Sequence, residues 1–361
     1  MIPPVPHIGS MAGYALADLS APAGKRLVSL SQNESLRPPS PAVAEALARA
    51  ATSPQLYPDP DWTVLREAIA DRHEVTAANI LCGNGSLDLI GCLARAYLDP
   101  GTAALAPAHA YPFFRTATQM TGARFDTASE TGATVDVDAL LAQVTPETRI
   151  VFVANPGNPT GTRISRAGLL RLREGLPGDV MLVIDEAYGE FADHLGERMF
   201  DLVERGDTVV LRTFSKAYGL AGMRVGWGLF PPAIAAETRK VMNPNNVALP
   251  GQMAAHAALL DHDYMRETCA QTAVLRDAFA TRLRAAGYEL HESFTNFALI
   301  RFASPEAAES ANRALRTDGV FLRPQGGAGL PECLRATISV ADDMDLAASL
   351  LEDWARNGGK R

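Results

Sequence analysis

The distribution of apolar positions predicts two regions of different architecture. Between about residues 61 and 250, short apolar runs such as "ANILCG", "TAALA", "RIVFVAN", "VMLVID" and "DTVVLR" alternate with helical patterns. Those patterns include "VLREAIADRH", "SLDLIGCLARAYL", "VDALLAQV" and "RAGLLRLREGL". Continuous apolar strands that alternate with helices are typical of a mostly parallel sheet covered on both faces. We therefore predict an α/β fold for this region.

The pattern changes after about residue 250. Helical periodicity dominates in "QMAAHAALLDH" and "YMRETCAQTAVLRDAFATRLRAAG", and three short strand patterns follow, "FALIRF", "GVFLR" and "LRATISV". An amphipathic helix, "DMDLAASLLEDWAR", comes last, whereas the first forty residues are rich in Pro, Ser and Gly. We predict an N-terminal arm over residues 1–45 that belongs to the small domain, a large domain over 46–250 and a small α+β domain over 251–361.

Composition narrows the functional classes. The chain has 361 residues, 47% of them hydrophobic, and a net charge of −8 without a Lys/Arg run, which argues against a nucleic-acid partner. No apolar stretch is long enough to span a bilayer, and the N-terminus lacks the pattern of a secretory signal. The cysteines and histidines show no metal-ligand spacing, so we expect reduced thiols, no metal site and a cytoplasmic location.

Polar residues follow the apolar runs at the strand ends where open α/β sheets bind ligands. Asn158 lies in the "PGNPTG" loop, Asp185 ends "VMLVID" with Tyr188 three residues later, and Lys216 follows "VVLRTFS". A carboxylate at the end of a buried strand can hold a protonated ring nitrogen. A lysine amine can form a Schiff base with an aldehyde.

A second group of residues suits an anion. The turn at Asn84, Gly85 and Ser86 precedes a predicted helix, and it offers backbone N–H groups and the positive helix end to a phosphate. The side chains that could complete this clamp are those of Thr213, Ser215 and Arg224. A phosphate clamp, a ring-nitrogen partner and a Schiff-base lysine are together what pyridoxal 5'-phosphate requires.

Five motifs carry a resemblance to a known family. They are "YPDP" (57–60), "NPGNPTG" (155–161), "VIDEAYGEF" (183–191), "TFSKAYGLAGMRVG" (213–226) and "LRATISV" (334–340). The five motifs follow one another in the order that is typical of one family. On these motifs the chain resembles a fold-type I pyridoxal-phosphate aminotransferase of the class I/II family, and in particular its histidinol-phosphate aminotransferase branch. The resemblance covers nearly the whole chain. It implies a large domain with a mostly parallel seven-stranded sheet.

The resemblance also implies roles for the cofactor site. Lys216 would be the Schiff-base lysine and proton shuttle, and Asp185 would hold the pyridinium N–H. Asn158 and Tyr188 would bond the phenolic oxygen of the ring. The residues of the anion group would bind the cofactor phosphate. Tyr111 would stack on the ring, with His109, two residues earlier, as the alternative.

Substrate and partner roles follow from the same resemblance. Tyr57 would reach the cofactor of a neighbouring subunit, which implies a homodimer. Arg335 would pair with the substrate carboxylate or its equivalent, a task for which a guanidinium is well suited. Tyr14 and Arg323 match positions that contact a substrate phosphate, and Asn33 begins the adjacent arm motif.

The arm departs from the family pattern. Where the branch commonly reads "NENPYGPSP", this chain reads "NESLRPPSP" (33–41). Leu36 and Arg37 replace a tight Pro-aromatic turn, and Arg37 near the site entrance could favour an acidic substrate.

These features predict transamination between a small-molecule amino donor and a 2-oxo acid, with histidinol phosphate and 2-oxoglutarate as the favoured pair. Three alternatives remain open at this point. A phosphothreonine-type decarboxylase shares the motifs, and an aromatic amino acid aminotransferase would use the same cofactor. A non-catalytic regulator that binds the cofactor is the third.

Overall fold

The computed structural model describes residues 2–13 and 20–358. Its strands are β1 (Val28–Ser29), β2 (Ile80–Gly83), β3 (Ala103–Pro107), β4 (Arg124–Ala128), β5 (Glu130–Thr131), β6 (Thr134–Val135), β7 (Thr148–Ala154), β8 (Met181–Asp185), β9 (Thr208–Thr213), β10 (Gly226–Leu229), β11 (Glu289–Leu290), β12 (Phe297–Arg301), β13 (Val320–Phe321), β14 (Arg323–Gln325) and β15 (Leu330–Thr337). Its α-helices are α1 (Pro6–Gly9), α2 (Pro41–Ala50), α3 (Thr63–His73), α4 (Ser86–Tyr97), α5 (Pro112–Gln119), α6 (Val137–Ala142), α7 (Arg166–Gly175), α8 (Gly189–Ala192), α9 (Pro232–Lys240), α10 (Leu249–Leu260), α11 (His262–Ala285), α12 (Pro305–Thr317) and α13 (Ala341–Arg356).

The large sheet has seven strands in the order β2-β10-β9-β8-β7-β3-β4. Neighbouring strands run parallel from β9 to β4, and β10 is antiparallel to both β9 and β2. Every residue of β2, β3, β8 and β9 is buried, as expected when helices cover both faces. The predicted α/β class with a mostly parallel sheet is therefore confirmed.

Two strands of this sheet have no counterpart among the predicted apolar runs. β4, at one edge, carries partly exposed and polar residues in "RFDTA", so its pattern resembles a loop. β10 reads "GWGL", and glycine is unfavourable in a strand interior unless close packing requires it. At Gly226 it does, because an added Cβ would lie 2.2 Å from the backbone nitrogen of Ser86.

The reversed strand brings five chain segments to one sheet edge. Gly226 pairs with both Thr213 and Gly83, which puts the start of β10 beside the ends of β9 and β2. β8 pairs in parallel with β9 and with β7, so Asp185 and Ala154 end at the same side. The loops that follow these strands therefore meet at one edge.

A second, smaller sheet has the antiparallel order β11-β12-β15-β14. It shares an apolar core with α12 and α13, and Val28 and Leu30 of the N-terminal segment belong to the same core. The long helix α11 connects the two cores, because Met265 packs in the larger one and Phe279 in the smaller one. β1 pairs in parallel with β13, which attaches the N-terminal segment to this smaller unit. The boundaries predicted at residues 45 and 250 stay predictions.

The cysteines Cys82, Cys92 and Cys333 are buried, Cys269 is partly buried, and all are free thiols. Burial raises the pKa of the Cys92 thiol to about 12, which makes it a weak nucleophile. Within residues 2–13 and 20–358, no helix is long and apolar enough to cross a bilayer, and no cluster of three metal-binding side chains is present.

A buried ion cluster joins β9 to the segment after β8. The Arg212 guanidinium, 1% exposed, donates to Glu186 at 2.7 and 2.9 Å and to Asp193 at 2.8 and 3.0 Å. Glu190 lies 3.4 Å away, and burial raises its pKa to about 7. Gly189 has no room for a side chain, since an added Cβ would lie 2.6 Å from the guanidinium carbon. The Arg212 guanidinium therefore pairs with three carboxylates, and its single positive charge offsets part of their negative charge.

Replacing that arginine should destabilise the fold strongly. We expect Arg212→Met to lower the free energy of unfolding by about 3–5 kcal/mol at pH 8, because it leaves buried carboxylates without their partner. Those carboxylates then have folded-state pKa values above their unfolded ones, so the loss should be smaller at pH 5.5 and grow as the pH rises. Urea unfolding at both pH values measures this.

The control is Arg301→Met, which removes a half-exposed arginine paired with Glu332 and should cost less than about 1 kcal/mol. Equal losses in the two variants, or a loss at Arg212 that does not change with pH, would contradict the prediction.

Candidate active site

Lys216 lies three residues after β9 and is half-buried at the shared sheet edge. Its Nζ donates a hydrogen bond to the main-chain oxygen of Asn33 at 3.0 Å and lies 5.9 Å from the centre of the Tyr188 ring. Burial and the positive charge of Arg335 lower the pKa of the Lys216 amine to about 8. A fraction of this amine is therefore neutral, and nucleophilic, near neutral pH.

Asp185 is the last residue of β8 and is 4% exposed. Burial raises the pKa of its carboxyl to about 7, although the carboxylate accepts a hydrogen bond from the backbone N–H of Ala187 at 3.1 Å and is attracted by Lys216. A cationic N–H partner would restore the ionised form, because an opposite charge favours it in a site of low polarity.

An anion cradle forms where β2, β9 and β10 meet. Gly85, with φ +81°, precedes the first residue of α4, Ser86, so the free N–H groups of a twelve-residue helix face this corner. Three neighbouring side chains are joined by hydrogen bonds. Thr213 Oγ1 donates to Ser215 Oγ at 3.0 Å, and Arg224 Nη1 donates to the same oxygen at 3.4 Å.

Close packing shapes this cradle. An added Cβ at Gly85 would lie 2.5 Å from Nη2 of Arg224, and Arg224 itself has a left-handed backbone, with φ +54°. Asn84 is exposed, and its backbone N–H donates to the Asp88 carboxylate at 3.1 Å. Glycine at 85 and 226 therefore lets the Arg224 guanidinium and the backbone of Ser86 pack closely at this corner.

A hydrogen-bonded group connects the large sheet edge to the smaller unit. The Tyr188 hydroxyl accepts from Asn33 Nδ2 at 2.8 Å and from Asn158 Nδ2 at 3.5 Å. Arg335 donates to Asn158 Oδ1 at 2.6 Å and to the main-chain oxygen of Ser31 at 3.0 Å. Burial raises the pKa of the Tyr188 hydroxyl to about 12, so it keeps its proton and can donate to a ligand.

Two arginines lie side by side in the small sheet. Arg323 on β14 is the register partner of Arg335 on β15. Like charges at directly opposed positions of antiparallel strands repel each other, so this pairing favours a ligand that carries negative charge. Arg335 is also close enough to Lys216 to lower the pKa of its amine. Arg335 of this pair therefore lies near the reactive amine.

The two candidates for ring stacking lie in different environments. Tyr111 precedes α5 and contacts the Phe114 ring edge-on, with 5.7 Å between centroids. The His109 ring nitrogen Nδ1 lies 2.9 Å from the main-chain oxygen of Ala328, which ends a short 3₁₀ helix of the smaller unit. Stacking by Tyr111 stays a prediction.

Two residues named in the sequence analysis, Tyr57 and Arg37, do not join this site within the described residues, and a third is not among those residues. Tyr57 is 88% exposed in the loop before α3. Tyr14 lies outside the described residues. Arg37 is not directed at the amine: its guanidinium lies 4.0 Å from the centre of the Tyr264 ring and 3.4 Å from Glu267 on α11.

Sequence reasoning missed two polar residues of the site. Thr337, at the end of β15, donates to Asn33 Oδ1 at 3.1 Å and accepts from the Asn33 backbone N–H at 2.9 Å. Asn296, just before β12, donates to the main-chain oxygens of Asn33 at 3.1 Å and Glu34 at 3.0 Å. Their only sequence signal is a polar residue beside an apolar strand pattern, which is common.

Comparisons with known proteins agree with this geometry. Residues 25–350 match the family model described as aminotransferase class I and II. Histidinol-phosphate aminotransferases of Rhodospirillum centenum and Ruegeria sp. are 42% and 38% identical to this chain, each match covering 98% of both proteins. The crystal structure of histidinol-phosphate aminotransferase from Sinorhizobium meliloti in complex with pyridoxal-5'-phosphate superimposes with a TM-score of 0.90 at 30% identity, covering 98% of this chain and 97% of that one.

The family match extends over nine-tenths of the chain, and the relatives share its full length rather than one segment. The motif-based prediction of a pyridoxal-phosphate-dependent aminotransferase is thereby confirmed. This chain belongs to the class I and II aminotransferase family.

Proposed function

We propose that this chain transfers the amino group of histidinol phosphate to 2-oxoglutarate, with pyridoxal 5'-phosphate as cofactor. The observation that carries the substrate assignment is the register pairing of Arg323 with Arg335, near the amine of Lys216. It is supported by the relatives that are named histidinol-phosphate aminotransferases and match over 98% of the chain.

The residues present fit this cofactor. The cradle at Gly85, Ser86 and Arg224 supplies backbone N–H and guanidinium donors for the phosphate, and the hydroxyls of Thr213 and Ser215 add to them. Asp185 would hold the ring N–H, and the Asn158 amide and Tyr188 hydroxyl would hold the phenolic oxygen. When bound, pyridoxal phosphate supplies an aldehyde that condenses with amines and a ring that accepts electrons.

Each side chain then has a task of its own. Lys216 Nζ, with its pKa lowered to about 8, would take the proton from the substrate carbon that bears the amino group and pass it to the aldehyde carbon of the cofactor, and it would move a proton in the opposite direction when the 2-oxo acid receives the amino group. Asp185 would stay ionised beside the ring N–H, because the two opposite charges would stabilise each other in the buried site. Tyr188 keeps its proton and donates it in a hydrogen bond.

Substrate recognition falls to the smaller unit and the N-terminal segment. Arg323 and Arg335 would hold the phosphate of the amino donor and, in the second half-reaction, a carboxylate of the 2-oxo acid. Tyr14 and Asn33 would complete this subsite. The pairing of Arg37 with Glu267 removes the reason to expect an acidic substrate from the departure in the arm motif.

We further propose a homodimer in which Tyr57 completes the site of the partner subunit. Its 88% exposure in a proline-bounded loop is what a residue directed at a neighbouring chain requires. The four free thiols are consistent with a reducing compartment, and we propose the cytoplasm.

Lys216 is the residue to test first. We expect Lys216→Ala to abolish turnover and to abolish the pyridoxyl label that borohydride fixes on the wild-type chain, because the other lysines among the described residues, Lys25 and Lys240, form surface ion pairs with Asp318 and Glu237. Peptide mapping after reduction locates the label. The matched control is Lys240→Ala, which removes an exposed lysine and should keep both label and turnover. A label at another residue in the wild type would refute the assignment.

Substitution of Arg323 tests the proposed assignment of histidinol phosphate as the amino donor. We expect Arg323→Gln to lower kcat/KM for histidinol phosphate by about 10- to 100-fold, the effect of losing a hydrogen-bonded charge pair, and to change kcat/KM for unphosphorylated histidinol by less than about threefold. Glutamate formed from 2-oxoglutarate measures both rates. Arg301→Gln, in the same sheet, is the control. Equal losses on the two donors would show that Arg323 does not bind the phosphate.

Mixed dimers test the role of Tyr57. Lys216→Ala and Tyr57→Ala chains are each expected to be inactive or weakly active, but unfolded and refolded together they should recover about a quarter of wild-type activity, because half of the dimers then contain one intact site. A mixture of Lys216→Ala with Asp185→Ala should recover none if both residues act within their own subunit. Absence of recovery in the first mixture would place Tyr57 outside the partner's site.

A further inference from the structure

Residues 30–39, which we call the strap, connect the smaller unit to the sheet edge. At one end the Leu30 backbone N–H donates to Phe321 at 2.9 Å, and its oxygen accepts from Thr337 at 2.8 Å. At the other end the Tyr264 hydroxyl on α11 donates to the main-chain oxygen of Pro38 at 2.9 Å. The middle of the strap is therefore held from both sides.

Asn33 is the point where the strap meets the amine. Its backbone is left-handed, with φ +55°, and it is 2% exposed. Its main-chain oxygen accepts from Lys216 Nζ at 3.0 Å and from Asn296 Nδ2 at 3.1 Å, and the same amide nitrogen donates to the oxygen of Glu34 at 3.0 Å. One side-chain amide thus fixes two successive carbonyl groups, one of which receives the lysine.

Among the described residues, the Asn296 side chain forms hydrogen bonds through its amide nitrogen but not through its amide oxygen. It is 2% exposed, and its Oδ1 accepts no hydrogen bond from any residue that the structure describes. A buried amide oxygen without a donor is unfavourable, and the side-chain hydrogen bonds of Asn296 to the described residues come from its two N–H groups. Those two groups both point at the strap.

The Lys216 amine has several charged neighbours besides the main-chain carbonyl of Asn33, which is neutral. Arg335 and Arg224 disfavour the ammonium form of Lys216, whereas Glu34 and Asp185 favour it, and burial is the largest unfavourable influence. A hydrogen bond to the charged form favours that form. An oriented carbonyl therefore gives the protonated amine an acceptor inside the site.

We propose that Asn296 is a positioning residue for Lys216. It holds the main-chain oxygen of Asn33 at the place where that oxygen receives the free ammonium group, which keeps Nζ at the reacting carbon after it has taken a proton. The proposal rests on the proposed role of Lys216 as the reacting amine. It assigns a task in the reaction to a residue that touches neither the amine nor a ligand.

The test measures the proton affinity of Lys216 in the full-length chain without cofactor. Trace acetylation by acetic anhydride, followed by peptide mass spectrometry, gives the rate of modification of Lys216 as a function of pH. We expect Asn296→Leu, which is close in shape and lacks the donors, to lower the pKa of Lys216 by about half a unit or more, so that acetylation at pH 7 is about threefold faster. Asn296→Ser keeps one donor and should give a smaller shift in the same direction.

Asn312→Leu on α12 is the matched control, since it makes the same substitution at a half-buried asparagine whose Oδ1 also lacks a donor among the described residues. Its pH profile should coincide with that of the wild type. Coincident profiles for wild type, Asn296→Leu and Asn296→Ser would overturn the proposal, whatever the change in Tm, as would an equal shift in the control. Borohydride fixation of the pyridoxyl label on wild-type Lys216 is measured separately. Failure of this labelling overturns the proposed function. Normal labelling together with unshifted acetylation profiles overturns the positioning role alone.

Discussion

The site depends on the direction of the strands in the large sheet. β7, β8 and β9 run parallel, and β10 is reversed between β9 and β2, so that four strand ends and one strand start share an edge. Residues that are far apart in the chain, such as Gly85, Asp185 and Lys216, then need only short loops to converge.

Burial at this edge acts in opposite directions on the acid and the amine. Removing water disfavours the charged form of each, so it raises the pKa of Asp185 and lowers that of Lys216, both towards neutrality. The neighbouring cluster around Arg212 shows the other solution to the same problem, in which a guanidinium neutralises the buried carboxylates directly. The chain thus separates a structural ionic cluster, which is held together by one central guanidinium, from a reactive pair whose proton affinities remain adjustable.

Most of the large domain could be predicted from periodicity, because its inner strands are continuous apolar runs between helical patterns. Two of its strands, β4 and β10, could not be predicted in this way. β4 lies at an edge and keeps polar residues, and β10 contains glycines whose reason is the close approach of α4, a contact between segments 140 residues apart in the chain. The strand expected at "GVFLR" is divided into β13 and β14, which pair with different partners, and pairing is not visible in the composition of a segment.

The sequence by itself determined the family and the order of the chemical groups, because each motif is local: Lys216 follows its strand, Asp185 ends its own, and the glycines lie beside them. Only the tertiary structure decided which groups touch. Asn33 meets Tyr188, Asn296 and Thr337 across separations of 155 to 304 residues, and Arg37 meets α11 instead of the amine. The physical reason is that hydrogen bonds depend on distance and direction in space. Local periodicity encodes which face of an element is buried, but not which distant residue will be packed against it.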